Sequence, residues 1–317
     1  MALIAPDTAG LTLCATQLAQ GEAVALPTET VYGLAAKATD GAAIAKIYAL
    51  KDRPQFNPLI CHVASLEAAQ HLGIFNETAR KLAAAFWPGP LTLVVPRQEN
   101  CPVDPLASAG LASLALRVPA HDLAQKLLHQ IDFPLVAPSA NPSGRLSPST
   151  AAHVAALLPD IDVLDGGACA IGLESTIIGC LDETPLWLRA GGLARSDIEA
   201  VLGRPLADMP ETDDRTAKLA PGRLARHYAP QARLRLNAES PTENELFIGF
   251  GPDAPSACNA NLSARGDLAE AAATLFATLH KLDAQATKAG KNLAIAPIPQ
   301  DGLGEAINDR LIRAATR

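Results

Sequence analysis

Residues 25–64 read ALPTETVYGLAAKATDGAAIAKIYALKDRPQFNPLICHVA, a stretch that combines two apolar runs with a high density of polar side chains. The runs at residues 24–26 and 59–63 predict short buried strands, and the alanine-rich residues 41–50 between them predict a helix. Groups that bind ligands usually lie on the loops at strand ends. The stretch therefore predicts a strand-helix-strand unit with a binding site at its strand ends.

Potential cations follow that predicted helix closely. Pro54 and Pro58 exclude further helix and hold Asn57 and its basic neighbours on an extended segment. The potential cations are Lys51, Arg53 and His62. A solvated loop is the alternative, but such groups beside buried strands are costly without an anionic partner. We therefore expect an anion-binding site here.

The composition is that of a globular protein with focused positive charge. The chain has 317 residues, 49% of them hydrophobic, and a net charge of −7, so it has ample apolar material for a core. Its basic residues recur inside polar motifs. This favours a pocket for a small anion such as phosphate over a broad nucleic-acid-binding surface.

Cysteine spacing and the first residues indicate the compartment. The six cysteines form no C-x-x-C pair, which argues against a structural zinc and against a secreted disulfide framework. We interpret them as buried or incidental thiols. The N-terminus lacks the basic segment of a signal peptide, and no apolar run approaches the ~20 residues of a membrane span. We expect a cytoplasmic protein without a membrane partner.

Apolar runs alternate with helical stretches along residues 1–203, a pattern typical of a mixed α/β domain. Further strands are predicted at residues 91–96, 114–118, 135–137, 163–165, 175–178 and 186–189. Further helices are predicted at residues 8–20, 67–72, 77–86, 123–130 and 148–158. We expect a twisted mixed sheet of about six or seven strands with a cleft.

The remaining residues predict a linker and a second, smaller domain. Residues 208–222 are charged and aperiodic, and we assign residues 204–232 as a linker. Residues 233–317 predict a small Rossmann-like αβ domain. Its predicted strands cover residues 232–236, 245–250 and 292–297, and its predicted helices cover residues 267–284 and 303–315.

A second polar motif, SANPSGRLSPST at residues 139–150, follows the predicted strand at 135–137. Its short hydroxyl side chains and Gly144 allow the backbone to approach an anion closely, and Arg145 can neutralise that anion. A plain capped turn before a helix is the alternative. With the neighbouring motifs, we interpret this run as a phosphate-binding loop.

Two arginines interrupt apolar strands. Arg117 lies between Leu116 and Val118, which predicts a side chain that points into a cleft, where its planar fork suits a carboxylate. An edge arginine that reaches solvent is the alternative. Arg189 precedes a Gly-Gly pair that permits close approach of a ligand or of backbone.

Standard catalytic and nucleotide-binding motifs do not occur. The sequence has no convincing Ser-His-Asp order or H-E-x-x-H motif, no GxxxxGK[ST] loop and no GxGxxG fingerprint. The chain is therefore expected to bind its anion through a less common binding motif.

Six motifs occur in order along the chain: PTETVYGL at 27–34, KDRPQFNPL at 51–59, LRVPAH at 116–121, APSANPSG at 137–144, GLESTI at 172–177 and RHYAP at 226–230. Together they resemble the threonylcarbamoyl-AMP synthase family. RHYAP and the closing GLGEAINDRLIRAA at 302–315 resemble the longer, two-domain form. The resemblance implies synthesis of L-threonylcarbamoyladenylate from L-threonine, bicarbonate or CO2, and ATP, with release of pyrophosphate. The product would serve threonylcarbamoylation of the adenosine next to the tRNA anticodon.

The resemblance also implies the site residues. Threonine contacts are expected at Thr30, His62, Arg117, Ala137 (main chain) and Ser175. ATP contacts are expected at Arg53, Asn57, Ser113, Ser139, Ser147, Arg189 and Tyr228. Lys51 and Arg53 are the expected catalytic residues, because with Arg189 they can offset the triphosphate charge as the reaction proceeds. Mg2+ would bridge phosphate oxygens with few protein ligands, so no metal-binding residue is assigned.

Tyr228 lies beyond the N-terminal domain, so a contact with ATP requires the linker to fold back over the pocket. The linker carries Arg226 and His227 directly before this tyrosine, a cluster that a mere spacer would not need. We hypothesise that the linker acts as a lid that excludes water from the mixed anhydride.

Three other functions are alternatives to this one. A double-stranded RNA-binding module is disfavoured by the acidic balance and the 4% aromatic content, so direct nucleic-acid binding is not expected as the main role. Carbamoyltransferases of hydrogenase maturation embed a similar domain, but with paired C-x-x-C zinc fingers that this sequence lacks. A regulatory or scaffold role for the C-terminal domain stays open. The proteins that transfer the threonylcarbamoyl group to tRNA are the expected downstream partners.

Overall fold

The computed structural model describes residues 2–54, 57–208, 228–256 and 258–316. Residues 55 and 56 of the KDRPQFNPL motif, the linker residues Arg226 and His227, and most of the predicted linker lie outside the described residues.

The N-terminal part contains eleven strands among the described residues. They are β1 (Leu3–Ile4), β2 (Val24–Leu26), β3 (Gly33–Lys37), β4 (Ile60–His62), β5 (Leu91–Pro96), β6 (Ser113–Arg117), β7 (Leu135–Val136), β8 (Asp162–Leu164), β9 (Thr176–Gly179), β10 (Leu186–Arg189) and β11 (Ala207–Asp208). The helices are α1 (Thr8–Ala19), α2 (Gly41–Lys51), α3 (Leu66–Gln70), α4 (Glu77–Phe86), α5 (Asp122–Gln130), α6 (Ala151–Leu157) and α7 (Arg195–Leu202), with a short 3₁₀ helix at Pro105–Ser108.

These strands form one mixed sheet in the order β1-β8-β2-β3-β7-β4-β6-β5-β9-β10-β11. The expected mixed α/β class is therefore confirmed, but the expected six or seven strands are too few. The missed strands β1 and β11 have two residues each, too short to show a periodic pattern. The missed β3 reads GLAAK, and its glycine and alanines have low intrinsic strand propensity. Pairing with β2 and β7 makes this segment a strand.

Two parallel neighbours bring the predicted site residues together. Strand β4 pairs with β6 so that His62 lies opposite Arg117. Because both residues end their strands, their side chains lie at the same edge of the sheet, where parallel α/β sheets usually bind ligands.

The helix α2 positions the basic segment that follows it. Its N-terminus is capped by the Asp40 carboxylate, which accepts hydrogen bonds from the backbone N–H groups of Ala42 and Ala43. It ends where Asp52 adopts a left-handed conformation with φ of 49°, and Pro54 then prevents helix from continuing.

The C-terminal part is a small layered αβ unit. Its strands are β12 (Leu234–Arg235), β13 (Glu245–Gly249), β14 (Ala260–Asn261) and β15 (Asn292–Ile295), and its helices are α8 (Leu268–Ala289) and α9 (Gly304–Ala315). The strands are all parallel in the order β12-β15-β13-β14. This agrees with the expected Rossmann-like class, although the two-residue β14 was missed and α8 extends five residues beyond the predicted 284.

The two parts share one apolar core. A single cluster of buried residues extends from Leu34 and Leu93 in the large sheet to Phe276 and Leu293 in the C-terminal unit. All six cysteines are free thiols, and all but Cys258 are buried. Within the described ranges, no helix combines the length and apolarity that a membrane crossing requires.

Candidate active site

A cleft at the ends of the central strands gathers most of the predicted site residues. Its lining includes Thr30, Arg53, His62, Arg117, Ala137, Ser139, Ser175, Arg189 and Tyr228. The other predicted residues, Lys51, Asn57, Ser113 and Ser147, are buried outside this lining. Segments that are far apart in sequence therefore meet in one cleft.

Arg117 lies at one end of the cleft and is almost fully buried. Its Nη1 donates to the Thr30 hydroxyl at 2.9 Å, its Nη2 donates to Glu29 Oε1 at 2.6 Å, and its Nε donates to the Gly89 carbonyl at 3.2 Å. A guanidinium has five N–H donors, and these contacts use three of them. Arg117 therefore lines the cleft, as its strand position predicted, and these three contacts leave two of its N–H groups unused.

Glu29 is a site residue that the sequence analysis did not select. It lies inside PTETVYGL, one residue before Thr30. Several polar residues occur together in this motif, so the sequence does not predict which of them contacts Arg117. Its ion pair with Arg117 is buried on both sides, with 9% and 4% of the side chains exposed. Glu29 Oε2 has no hydrogen-bond partner among the residues described.

We expect Glu29→Gln to lower the free energy of unfolding by about 3 kcal/mol, because it leaves the buried Arg117 charge without its carboxylate. The matched control is Glu22→Gln, which breaks the exposed pair between Glu22 and Lys46 and should cost less than about 1 kcal/mol. Urea unfolding of both variants measures the difference. Equal losses in the two variants would contradict a buried, energetically coupled pair.

His62 is buried beside Arg117. Its Nδ1 lies 3.2 Å from the Ile60 carbonyl oxygen, so Nδ1 carries the proton of the neutral ring and Nε2 remains an acceptor. Burial, with the charge of Arg117, lowers the pKa of His62 to about 3. The imidazole is therefore neutral at physiological pH.

This pKa shift predicts a pH dependence of stability. In the unfolded chain, a histidine with an ordinary pKa of about 6.5 takes up a proton as the pH falls, whereas folded His62 stays neutral until the pH nears 3. Folding stability is therefore lost as the pH falls from about 6.5 towards 3. Between about pH 7.5 and about pH 5.5, the wild type should lose about 1.4 kcal/mol more unfolding free energy than His62→Gln. Urea titrations at both pH values measure this; parallel losses would count against a neutral, buried His62.

Arg189 and Ser175 form the opposite wall. Arg189 Nη2 donates to the Ser175 carbonyl at 2.8 Å and to its Oγ at 3.2 Å, and the same Oγ lies 2.7 Å from Thr92 Oγ1. Burial lowers the pKa of Arg189 to about 10, so its guanidinium stays charged at neutral pH. Arg189 thus places a cation beside a serine hydroxyl.

The Gly-Gly pair after Arg189 serves backbone packing. A Cβ at position 191 would lie 2.4 Å from the Glu174 carbonyl oxygen and from the Ser175 carbonyl carbon. Only glycine permits this approach, which sets the position of Ser175 in the cleft. Of the two predicted reasons for the pair, close approach of backbone is the one observed.

Arg53 and Lys51 occupy different environments. Arg53 lines the cleft, and its guanidinium donates to the carbonyls of Asn57 at 3.3 Å and Pro58 at 3.0 Å. Burial lowers the pKa of Arg53 to about 10, with Arg189 nearby acting in the same direction. It therefore stays charged at neutral pH and is a cation available to an anionic ligand.

Lys51 lies beneath the SANPSG loop. Its Nζ donates to the carbonyls of Ser139 and Asn141, each at 2.5 Å, and its own carbonyl accepts from the Ser143 N–H. Burial, with the neighbouring Arg53, lowers the pKa of Lys51 well below its ordinary value. In this structure Lys51 holds the loop in shape, whereas the sequence analysis expected it to face the triphosphate.

Asn57 and Ser113 are buried but do not line the cleft. The Asn57 carbonyl accepts from Tyr48 Oη at 3.1 Å as well as from Arg53. Ser113 begins β6 opposite Pro96. The structure brings neither side chain into the cleft lining.

Glu174 is the second site residue that the sequence analysis did not select. It lines the cleft, its Oε1 accepts from the Ser147 hydroxyl at 2.5 Å, and its Oε2 accepts from Arg310 Nε at 2.9 Å. Burial opposes ionisation, but the charges of Arg310 and Arg189 hold the pKa of Glu174 at about 2. The GLESTI motif contains this residue, but its partner Arg310 lies far away in sequence.

Tyr228 closes the cleft from the C-terminal side. Its ring centroid lies 5.6 Å from that of Phe276 on α8, and its backbone has a left-handed φ of 59°. Burial raises the pKa of its hydroxyl to about 12. The end of the linker therefore returns to the pocket, which the lid hypothesis requires.

Comparison with known proteins identifies related sequences for both parts of the chain. Residues 16–191 match a family model described as telomere recombination, and residues 193–316 match one described as threonylcarbamoyl-AMP synthase, C-terminal domain. The threonylcarbamoyl-AMP synthase of Bacillus subtilis is 37% identical over 328 residues, which covers 95% of this chain and 91% of the relative. That of Pyrococcus abyssi is 40% identical over 319 residues, which covers 93% and 91%.

A solved structure shows the same architecture. The crystal structure of P. abyssi Sua5 complexed with L-threonine superposes with a TM-score of 0.88 at 36% sequence identity, and the match covers 99% of this chain and 98% of that one. The similarity extends over both the large sheet and the C-terminal unit.

Proposed function

The chain belongs to the threonylcarbamoyl-AMP synthase family, and on that premise we propose that its cleft converts L-threonine, bicarbonate and ATP into L-threonylcarbamoyladenylate and pyrophosphate. Membership of this family makes the protein an enzyme. One observation carries the proposal: Arg117 with Thr30, and Arg189 with Ser175, line a single cleft. The Arg117 guanidinium suits a carboxylate at one end of the cleft, and the Arg189 guanidinium suits a phosphate at the other.

Threonine is placed at the Arg117 end. The unused donors of Arg117 can bind its carboxylate, and the Thr30 and Ser175 hydroxyls can hydrogen-bond its polar atoms. His62 Nε2 can accept a hydrogen bond from the substrate because the ring is neutral. The main chain of Ala137, in the same lining, adds the remaining expected contact.

ATP is placed at the Arg189 end. The amine of threonine first combines with bicarbonate, with loss of water, or with CO2, with loss of a proton, to give N-carboxy-threonine. A carboxylate oxygen of this carbamate then attacks the α-phosphorus, the bond to the β-phosphate oxygen breaks, and pyrophosphate leaves. Arg53 and Arg189 stabilise the charge that develops on the phosphate oxygens. This step requires positioning and electrostatic stabilisation and no covalent enzyme intermediate.

Mg2+ is expected to arrive with the ATP phosphates. Within the described ranges, no group of three or more His, Cys, Asp or Glu side chains could hold a metal ion. The cleft carboxylate Glu174 is bonded to Ser147 and Arg310. These residues do not fit a protein-held metal site, whereas Mg2+ readily binds substrate phosphates with few protein ligands.

The product is a mixed anhydride that water would hydrolyse, so a closed cleft protects it. We propose that Tyr228, which lines the cleft, forms part of this cover, and that the product is passed on for threonylcarbamoylation of adenosine next to the tRNA anticodon. The natural setting of such a reaction is the cytoplasm, with the tRNA-modifying proteins as downstream partners.

An omission experiment tests the proposal. The full chain is incubated with ATP, Mg2+, L-threonine and bicarbonate, and pyrophosphate release is followed while each substrate is left out in turn. We expect release only when all three substrates are present. Release without threonine, or none from a protein that binds ATP, would overturn the proposal.

A further inference from the structure

The C-terminal unit places one arginine against the wall of the cleft. Arg310 on α9 is 1% exposed, and its Nε donates to Glu174 Oε2 at 2.9 Å. Its guanidinium also lies 5.3 Å from the centre of the Tyr228 ring. Glu174 and Tyr228 both line the cleft. Arg310 therefore contacts two parts of the cleft wall from outside.

Glu174 links Arg310 to the loop that carries Ser147, because it accepts hydrogen bonds from both residues. Its second oxygen, Oε1, accepts from the Ser147 hydroxyl at 2.5 Å. The Ser147 carbonyl lies 3.1 Å from His280 Nε2 on α8. Both C-terminal helices thus contact the end of the SANPSGRLSPST motif, one directly and one through Glu174.

Arg310 also sets the net charge of the cleft wall at Glu174. A carboxylate at Glu174 would repel a triphosphate in the same cleft, and burial strengthens such a repulsion. The Arg310 charge neutralises Glu174 across the direct contact, so the cleft keeps the net positive charge of Arg53 and Arg189. Without Arg310, Glu174 would lose this ion pair and present to the nucleotide a buried carboxylate that keeps its hydrogen bond from Ser147.

The geometry of Arg310 indicates a role beyond stability. Its Nη1 donates to Asp309 at 2.8 Å, but its buried Nη2 has no hydrogen-bond partner among the described residues. A buried donor without an acceptor is unfavourable, and a buried ion pair is by itself weak evidence for stabilisation.

Other contacts already join the two units. Trp187 Nε1 donates to Glu305 Oε1 at 3.0 Å. A Cβ at position 172 would lie 2.5 Å from the Ala272 carbonyl oxygen, so the GLESTI segment packs directly on α8. The C-terminal unit therefore remains held against the sheet through contacts that do not involve Arg310.

We propose that Arg310 is a positioning residue for ATP: through Glu174 and Tyr228 it couples the packing of the C-terminal unit to nucleotide binding. This inference rests on the proposed function and gives the C-terminal unit a specific part in it. The unit completes the nucleotide end of the cleft and leaves the threonine end, around Arg117, to the N-terminal sheet.

The test compares Arg310→Met with Arg313→Met in the full chain. Arg313 lies one turn further along α9, pairs with Asp309 and is more exposed, so its variant removes the same charge without touching Glu174. We expect Arg310→Met to raise the KM for ATP at least about tenfold and to leave the KM for threonine within about twofold. Arg313→Met should leave both within about twofold.

A double variant distinguishes a specific effect of Arg310 on ATP binding from a general loss of packing around the cleft. If the unneutralised carboxylate is what repels ATP, Glu174→Gln combined with Arg310→Met should bind ATP more tightly than Arg310→Met alone. If Arg310→Met does not fold, Arg310→Lys replaces it, and we expect a several-fold rise in the KM for ATP because lysine lacks the forked contacts.

Several results would overturn the inference. They are an unchanged KM for ATP in the Arg310 variant, an equal rise in both KM values, or a double variant as weak as the single one. If the wild type makes no threonylcarbamoyl-AMP, the proposed function fails instead. The Kd of the wild type and of Arg310→Met for ATP, measured directly by calorimetry, then still decides the role of Arg310.

Discussion

Replacing Arg117 with methionine should lower kcat/KM for threonine by about a thousandfold. The variant removes the cation that we assign to the threonine carboxylate and leaves the buried Glu29 without its partner. Truncating one partner of a buried, hydrogen-bonded charge pair with a ligand costs about 2–5 kcal/mol of binding free energy, and a thousandfold loss corresponds to about 4 kcal/mol. Steady-state kinetics with threonine varied at saturating ATP measure the effect.

The matched control for this prediction is Arg204→Met. Arg204 binds Thr78 and the Glu183 carbonyl at the surface, so its loss should change neither KM. Direct ATP binding by Arg117→Met should stay within about threefold of the wild type, because Arg117 lies at the threonine end. An equal loss of ATP and threonine affinity would contradict the division of the cleft into two ends.

Replacing Gly191 with alanine should destabilise the fold by about 4 kcal/mol and remove most activity. The added Cβ would lie 2.4 Å from backbone atoms of Glu174 and Ser175, and backbone in the middle of a motif cannot move away as a flexible side chain can. The displaced residues carry the Ser175 hydroxyl and the Glu174 carboxylate. Urea unfolding and synthase activity measure the two effects.

The control for this second prediction is Gly179→Ala on β9. There the nearest atom to an added Cβ is Cδ1 of the Leu188 side chain, at 3.3 Å, so a small side-chain adjustment should limit the loss to about 1 kcal/mol. If Gly191→Ala were as stable and as active as Gly179→Ala, the close packing of these backbones would not control Ser175.

Local patterns predicted the cleft well because its residues lie at the ends of apolar runs. His62 is the last residue of β4, Arg117 is the last residue of β6, and Arg189 is the last residue of β10. Each is a polar residue at the C-terminal end of a buried strand. Parallel pairing of β4 with β6 brings His62 and Arg117 together, whereas Arg189 ends a strand that pairs antiparallel with β9. The mixed α/β class followed from the same alternation of strands and helices.

The charge partners could not be predicted in this way. Glu29 meets Arg117 across 88 residues and Glu174 meets Arg310 across 136 residues, and no local periodicity specifies which distant side chain fills a buried contact. Lys51 illustrates the converse case. Its position beside Arg53 predicted a contact with the triphosphate of ATP. Only the folded chain shows that its Nζ donates hydrogen bonds to two loop carbonyls.

The most direct test of the account is the identity of the product made from carbon-13 bicarbonate. The wild type is incubated with ATP, Mg2+, L-threonine and the labelled bicarbonate, and the adenylates are analysed by mass spectrometry. The account predicts threonylcarbamoyl-AMP that carries one labelled carbon and forms together with pyrophosphate. An unlabelled threonyl adenylate, or pyrophosphate without any labelled adenylate, would contradict it.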